Sequence, residues 1–185
     1  MKPAELQLTQ DWDKTFPKSN RVDHKKVTFI NRYGITLAAD QYAPKDAQGR
    51  LPAVAVCGPF GAVKEQCSGL YAQTLAERGF LTIAFDPSFT GQSRGRPRYT
   101  ASPDLHTKDF QAAVDYLSVQ DGVDPERIGI LGICGWGGLA LNTAAIDTRI
   151  KATVVSTMYD MSRIAAKGYF DEADREEARH QVRES

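Results

Sequence analysis

Arg127-Ile128-Gly129-Ile130-Leu131-Gly132-Ile133-Cys134-Gly135-Trp136-Gly137-Gly138-Leu139-Ala140 is the stretch that decides the fold, because an apolar run stops at a cysteine and glycines follow at once. The run from Ile128 to Ile133 has the length and the apolarity of a strand that is buried on both faces. Small and helix-forming residues follow it. A sharp turn crowds the backbone, so glycines are needed beside its apex. The stretch therefore predicts a strand, a tight turn with Cys134 at its apex, and a helix.

Cys134 is the residue of this stretch that carries chemistry. The predicted turn places it at the start of a helix, where free amides and the helix dipole favour a thiolate. The backbone N–H of Gly135 would point at an oxyanion that develops when the thiolate attacks an acyl group. A small buried side chain at a strand end is the structural alternative. The flanking glycines favour the catalytic interpretation, which also places the Trp136 indole at the rim of a pocket.

Apolar and amphipathic segments alternate on both sides of this stretch. Ser102-Pro103-Asp104 offers an N-cap, a proline at the first helical position and an acid in the first turn, which predicts a helix start. Strands alternating with helices indicate right-handed crossovers. The fold class is therefore α/β, with a mostly parallel sheet and helices on both faces. Further buried strands are predicted at residues 53–57, 81–85 and 152–156.

Three segments follow from these patterns. Residues 1–26 are polar and are expected to form an N-terminal arm. Residues 27–160 form the α/β core, and two strand-like runs within 27–42 predict a leading antiparallel hairpin. Residues 161–185 form a polar segment with a helix expected over 171–183, which is either a solvated helix or the start of a lid.

Composition narrows the class of protein. A chain of 185 residues with 42% hydrophobic residues suits one globular domain. The 23 Lys and Arg residues balance the 23 Asp and Glu residues, and no basic run is dense enough to follow a phosphate backbone, so no nucleic-acid partner is expected. We find no signal-peptide-like or membrane-spanning stretch and expect a cytoplasmic protein. Three cysteines without a C-x-x-C pair predict neither a disulfide framework nor a zinc site, and we expect no cofactor or metal.

Three stretches resemble a known family, the cytosolic α/β-hydrolases similar to dienelactone hydrolases and the Xaa-Pro-peptidase-like group, several of which carry a cysteine nucleophile. Gly132-x-Cys134-x-Trp136 is similar to the nucleophile elbow, with Trp136 where the motif has its second glycine. Gly58-Pro59-Phe60-Gly61-Ala62-Val63-Lys64-Glu65-Gln66 resembles the family's post-strand loop His-Pro-Gly-Gly-Gly-Val-Lys-Glu-Gln, and residues 84–93 are similar to its next loop. The resemblance extends from about Asp11 to about Asp160 and implies a partial α/β-hydrolase fold.

The resemblance also implies roles for further residues. In such hydrolases the loop after the first central strand gives the second oxyanion donor, and here the candidate is the backbone N–H of Phe60, because Pro59 has none. The family's histidine in this loop aligns with Gly58. The order of the triad in this fold is nucleophile, acid and histidine, so both partners should follow Cys134. Asp160 is the candidate acid, although an aspartate at a strand end usually serves a turn.

No histidine of the chain fits the catalytic role. His180 is expected on a solvated surface, and His106 is expected to cap its helix or to lie at the surface. We therefore expect the chain to cover the N-terminal half of a hydrolase and to be inactive without a downstream acid and histidine. The apolar open edge of a half sheet predicts a homo-oligomer or a complementing chain there.

Three functions fit the sequence. The first is hydrolysis of a small-molecule carboxylic ester, lactone or thioester through an acyl-Cys134 intermediate, with acyl transfer as a close relative. The second is a non-catalytic remnant or a half that depends on a partner. The third is dinucleotide binding, because Gly135-x-Gly137-x-x-Ala140 matches the G-x-G-x-x-G/A fingerprint and Asp160 lies 20 residues beyond it.

Overall fold

The computed structural model describes residues 6–172 together with residues 174, 176 and 180. Within these residues, six strands form one sheet, and helices cover both of its faces. The elements in chain order are β1 (Val22–Ile30), β2 (Thr36–Pro44), β3 (Leu51–Cys57), α1 (Cys67–Ala76), β4 (Leu81–Phe85), α2 (Pro103–Ser118), β5 (Val123–Ile133), α3 (Gly135–Ile146), β6 (Ile150–Ser156) and α4 (Met161–Lys167).

The sheet has the order β1-β2-β4-β3-β5-β6. Strands β4, β3, β5 and β6 are parallel to one another. Strand β2 pairs antiparallel with both β1 and β4, so the hairpin continues the sheet at one edge. The predicted architecture, a mostly parallel sheet with a leading antiparallel hairpin, is confirmed. The carboxyl ends of the parallel strands meet at one side of the sheet, which is where ligands bind in open α/β folds.

Alternating side chains of the strands feed two separate cores. Along β5, Ile128 and Ile130 join the cluster built with α2 and α3. Leu131 and Ile133 belong to the opposite cluster, which includes Phe16 of the N-terminal segment and residues of α1. The strand that leads to Cys134 is therefore buried on both faces, as its near-continuous apolar sequence requires.

The N-terminal arm is shorter than its polar composition predicts, because β1 begins at Val22 and not at residue 27. Buried ion pairs hold the arm against the hairpin. The Lys14 amine of the arm lies 2.9 Å from the Asp40 carboxylate of β2, and Asp13 of the arm pairs with Lys26 of β1. Trp12 packs edge-to-face on His24 with ring centroids 5.2 Å apart. Charged residues are accommodated in this region because they are paired.

Two further boundaries concern the ends of the core. Asp124-Pro125-Glu126 lies within β5, next to a register shift in the pairing with β3. The helix expected over 171–183 falls largely outside the described residues. In the part of the chain that the structure describes, no helix has both the length and the apolarity needed to cross a bilayer.

Candidate active site

Cys134 joins β5 to α3 in a strained backbone conformation. Its φ of +59° and ψ of −128° lie in a region that side-chain-bearing residues rarely adopt. Its N–H donates to the carbonyl of Ser156 at 2.8 Å, and its carbonyl accepts from the N–H of Gly137 at 2.9 Å. The bend is therefore held by β6 on one side and by the first turn of α3 on the other.

The close approach of α3 to its strand explains the glycines around the bend. A Cβ on Gly132 would lie 2.2 Å from the carbonyl oxygen of Trp136 and 2.8 Å from the Cβ of Ala140. A Cβ on Gly135 would lie 2.2 Å from the ring of Phe60. Any larger residue at either position would push the helix or the neighbouring loop away from the bend.

The three thiols differ in their surroundings. Cys57 is fully buried, and burial raises its pKa well above the usual thiol value. Burial also raises the pKa of Cys67, and the nearby Cys134 adds to this effect. Cys134 is half-buried and lies at the N-terminus of α3. All three thiols are free. Of these three thiols, that of Cys134 lies at the bend between β5 and α3.

The two main-chain amides predicted as oxyanion donors belong to Gly135 and Phe60, and this role stays a prediction. Gly135 is the first residue of α3, so its N–H has no acceptor within the helix. Phe60 lies in the loop after β3, and within the described part of the chain its N–H donates no hydrogen bond. The ring of Phe60 packs directly on Gly135, which brings the loop after β3 into contact with the start of α3.

A cleft of about 940 Å³ opens beside this bend, a volume typical of a small-molecule site. Phe60 and Gly135 contribute to its wall, whereas Cys134, next to Gly135 in the chain, is not among the residues that line it. Most of the wall is apolar. Among its described residues the charged side chains are Asp104 and Asp160, and no Lys or Arg is present. The wall includes segments 59–62, 99–104, 135–142 in part, and 158–162.

Two side chains lie deeper than the sequence suggested. Trp136, predicted at the rim of the pocket, is only 1% exposed and packs edge-to-face on Phe110 with ring centroids 5.6 Å apart. His106, predicted as a cap or a surface residue, is 2% exposed and lies in the cleft wall. Ser102 caps α2 instead, because its Oγ accepts from the N–H of Leu105 at 3.4 Å.

Asp160 lies at the cleft as the N-cap of α4. Its carboxylate accepts from the Ser162 hydroxyl at 2.6 Å and from the N–H of Arg163 at 2.9 Å. These hydrogen bonds, that of Ser162 above all, lower the pKa of Asp160. Neither His24 nor His106 contacts it. The structure therefore gives Asp160 a helix-capping role, and its role as a catalytic acid stays a prediction.

The glycine fingerprint of a dinucleotide site serves helix packing here. The Phe60 ring fills the space above Gly135 that a pyrophosphate would need. A Cβ on Gly137 would lie 2.9 Å from the side chain of Met158, so this glycine admits β6 and its following loop. Asp160, the expected ribose ligand, is committed to capping α4. These contacts argue against dinucleotide binding. Among the described residues, no group of three or more His, Cys, Asp or Glu side chains suits a metal ion.

Cys134 is a strained residue between a central parallel strand and its helix, and the loop after β3 packs against the start of that helix. This arrangement defines an α/β-hydrolase fold. The family model of the X-Pro dipeptidyl-peptidases (S15 family) matches residues 33–177. The chain therefore belongs to this family.

Comparisons with individual proteins agree with this assignment. The chain is 67% identical over 168 residues to the uncharacterized protein PA2218 of Pseudomonas aeruginosa. This match covers 90% of this chain and 45% of the relative. The crystal structure of that hypothetical protein matches with a TM-score of 0.95 at 63% identity, over 98% of this chain and 57% of the other. Thiohydrolase aneE of Aspergillus aculeatus is 32% identical over 131 residues, 71% of this chain and 40% of the relative. The chain thus spans about half the length of the curated relatives it matches.

Proposed function

We propose that the chain carries the nucleophile of a hydrolase that cleaves a carboxylic ester, lactone or thioester through an acyl-Cys134 intermediate. The observation that supports this proposal best is the strained φ of +59° at Cys134, at the junction of β5 and α3. Attack by the thiolate forms a carbon–sulfur bond to the acyl carbon and expels the alkoxide or thiolate leaving group. Water then cleaves the thioester and restores the thiol. The amides of Phe60 and Gly135 hold the oxyanion in both steps.

Family membership and the thiohydrolase relative support hydrolysis of an activated acyl group. Transfer of the acyl group to an acceptor other than water would use the same intermediate. The cleft is mostly apolar and has the size of a small-molecule site. Free cysteines fit a reducing compartment, so we also propose a cytoplasmic location.

The general base is proposed to come from a segment outside the described residues or from a second chain. His24 is bonded to Asp40, and His106 is enclosed by aromatic rings, so neither is placed to take the proton of Cys134. Strand β6 is an outer strand with Val154 54% exposed. An unpaired apolar edge of this kind favours addition of a further strand, from the same chain, from a complementing chain or from a second copy.

The proposal is tested by incubating the intact protein with a p-nitrophenyl ester and following both p-nitrophenol release and protein mass. We expect an acyl adduct that peptide mapping assigns to Cys134, and we expect Cys134→Ala to lose the adduct and the release. Cys67→Ala is the matched control, since it removes a partly buried thiol near the same bend and should retain both. Release that is unchanged in Cys134→Ala would refute the proposal.

A further inference from the structure

The loop after β3 is held in place by a buried lysine. Between Pro59 and Gln66, all of which the structure describes, Lys64 is the one fully buried residue, with 1% of its surface exposed. The other residues of this segment are half-buried or exposed, and none of them belongs to either core cluster. The position of the loop therefore depends on the groups that Lys64 contacts.

Lys64 contacts the loop after β4. Its Nζ atom donates to the carboxylate of Asp86 at 3.1 Å and to the side-chain oxygen of Gln92 at 2.6 Å. Its main-chain N–H donates to the other carboxylate oxygen of Asp86 at 2.8 Å. The main-chain N–H of Gln92 donates to the same carboxylate at 2.9 Å. Asp86 is fully buried and thus ties the two loops together through three hydrogen bonds.

This tie carries charge in the interior of the protein. Burial alone would lower the pKa of Lys64, but the carboxylates of Asp86 and Glu65 outweigh this effect, so the pKa is raised and the amine stays charged. A buried ion pair is often no more stabilising than apolar side chains of similar volume, because both charges lose their hydration. Its charge-assisted hydrogen bonds nevertheless fix the relative position of the groups they join. Both loops contribute to the wall of the cleft, the second through Pro87 and Thr90.

Two consecutive turns connect Lys64 to Phe60. The turn over residues 59–62 contains Phe60 and is closed by a main-chain hydrogen bond of 3.2 Å. The turn over residues 63–66 contains Lys64 and is closed by one of 3.0 Å. No residue separates the two turns, so a shift at Lys64 passes to Phe60 and to its contact with Gly135.

We propose that Lys64 is a positioning residue: together with Asp86 it holds the loop after β3 so that the main-chain N–H of Phe60 faces the acyl oxygen of a substrate at the bend. The role of that N–H as an oxyanion donor rests on the proposed function, whereas the tie between the loops depends only on the hydrogen bonds. Misplacement by about 1 Å can slow a reaction by about 10²-fold, and removal of one oxyanion donor by about 10²- to 10³-fold. Loss of the Lys64 amine is therefore expected to slow acylation by about 10- to 100-fold.

The test compares two reactions of the Cys134 thiol. Acylation by p-nitrophenyl acetate passes through a tetrahedral oxyanion and expels p-nitrophenolate, whereas alkylation by iodoacetamide displaces iodide and forms no oxyanion. Peptide mass mapping gives the rate of each reaction at Cys134. Because both reactions consume the same thiolate, the ratio of the two rates cancels any change in its amount.

Lys64→Met keeps the length of the side chain and removes its ammonium group, while the main-chain N–H groups of Lys64 and Gln92 still pair with Asp86. We expect the ratio of acylation to alkylation to fall by about 10- to 100-fold. The double variant Lys64→Met with Asp86→Asn leaves no unpaired charge and carries the same test if the single variant does not fold. An unchanged ratio in a folded Lys64 variant would overturn the inference.

Arg149→Met is the matched control. It removes a cation that pairs with two carboxylates at the opposite end of α3, so it should lower stability and leave the ratio unchanged. A merely structural role of Lys64 would give the same result as this control, because general destabilisation affects both reactions of the thiol alike.

Hydrogen exchange of the peptide that covers residues 59–66 measures the tie without any chemistry at Cys134. We expect faster exchange in Lys64→Met than in the wild type and in Arg149→Met. An acyl adduct in the wild type with an unchanged ratio in Lys64→Met would refute this inference alone. No adduct in the wild type would refute the proposed function, and the exchange then decides the inference: faster exchange supports the tie between the loops, and unchanged exchange overturns it.

Discussion

The substitution Gly132→Ala tests the packing that holds Cys134 at the bend. The added Cβ would lie 2.2 Å from the carbonyl oxygen and 2.7 Å from the carbonyl carbon of Trp136. Carbon and oxygen atoms approach to about 3.3 Å, so the first turn of α3 has to move by about 1 Å. Both obstacles are main-chain atoms, and no side-chain rotation relieves the contact. Overpacking costs about 1–3 kcal/mol, and we expect the upper end here.

A loss of about 3 kcal/mol corresponds to a Tm lower by about 6–12 °C in a chain of this length. The measurement is thermal unfolding followed by circular dichroism. Gly122→Ala is the matched control, because nothing lies within 4 Å of its added Cβ and its φ is not positive. That change should be neutral or slightly stabilising. If both variants unfold within about 2 °C of each other, the close approach of α3 to β5 is not what constrains the bend.

Three further outcomes follow from burial and charge. Iodoacetamide near neutral pH should alkylate Cys134 before Cys57, because burial raises the pKa of the Cys57 thiol and shields the thiol from the reagent. Peptide mapping of the native protein measures this order, and equal labelling of the two cysteines would contradict the prediction. Burial raises the pKa of Asp109 from 3.8 to about 6, so its stabilising contribution is full below pH 3.8 and is lost as the pH rises through about 6. Relative to Asp109→Asn, the wild type should lose up to about 3 kcal/mol between pH 4 and pH 7 in urea titrations, and parallel curves would exclude this account. Lys14→Met removes the ammonium partner of the buried Asp40 carboxylate and leaves it the ring of His24, so it should cost about 3 kcal/mol at most but well above the exposed Lys25→Met, which should cost about 0.5 kcal/mol or less. Equal urea midpoints for the two variants would refute the importance of the buried pair.

The layered sheet could be predicted because its signals are local. Strands β3 to β6 are short apolar runs, and the cap at Ser102 acts within one turn of α2. The start of β1 could not be predicted from such signals. Its first residues include charged side chains, and their burial depends on partners that are distant in sequence, such as the carboxylate of Asp13 for Lys26. Tertiary pairing of charges decided this boundary, not strand propensity.

The depth of the side chains around the cleft was also hidden from local patterns. The buried stripe of α2 contains Phe110, Val114 and Leu117, and the same spacing extended back by four residues reaches His106. Its polarity suggested a surface position, although its place on the helix face indicated the core. The bend itself was predictable, because α3 and the loop after β3 approach the backbone around Cys134 so closely that only glycine fits at positions 132 and 135.

The two departures from the family's motifs lie against each other. Trp136 stands where the elbow motif has a glycine, and Gly58 stands where the loop motif has a histidine. A Cβ on Gly58 would lie 2.8 Å from the Cβ of Trp136 and 2.4 Å from the carbonyl oxygen of Ile133, and its φ of +103° also disfavours a side chain. The indole occupies the space between this loop and α2, where it supports His106. Because the space that a side chain at position 58 would need is taken by Trp136 and the main chain of Ile133, the two departures are sterically coupled.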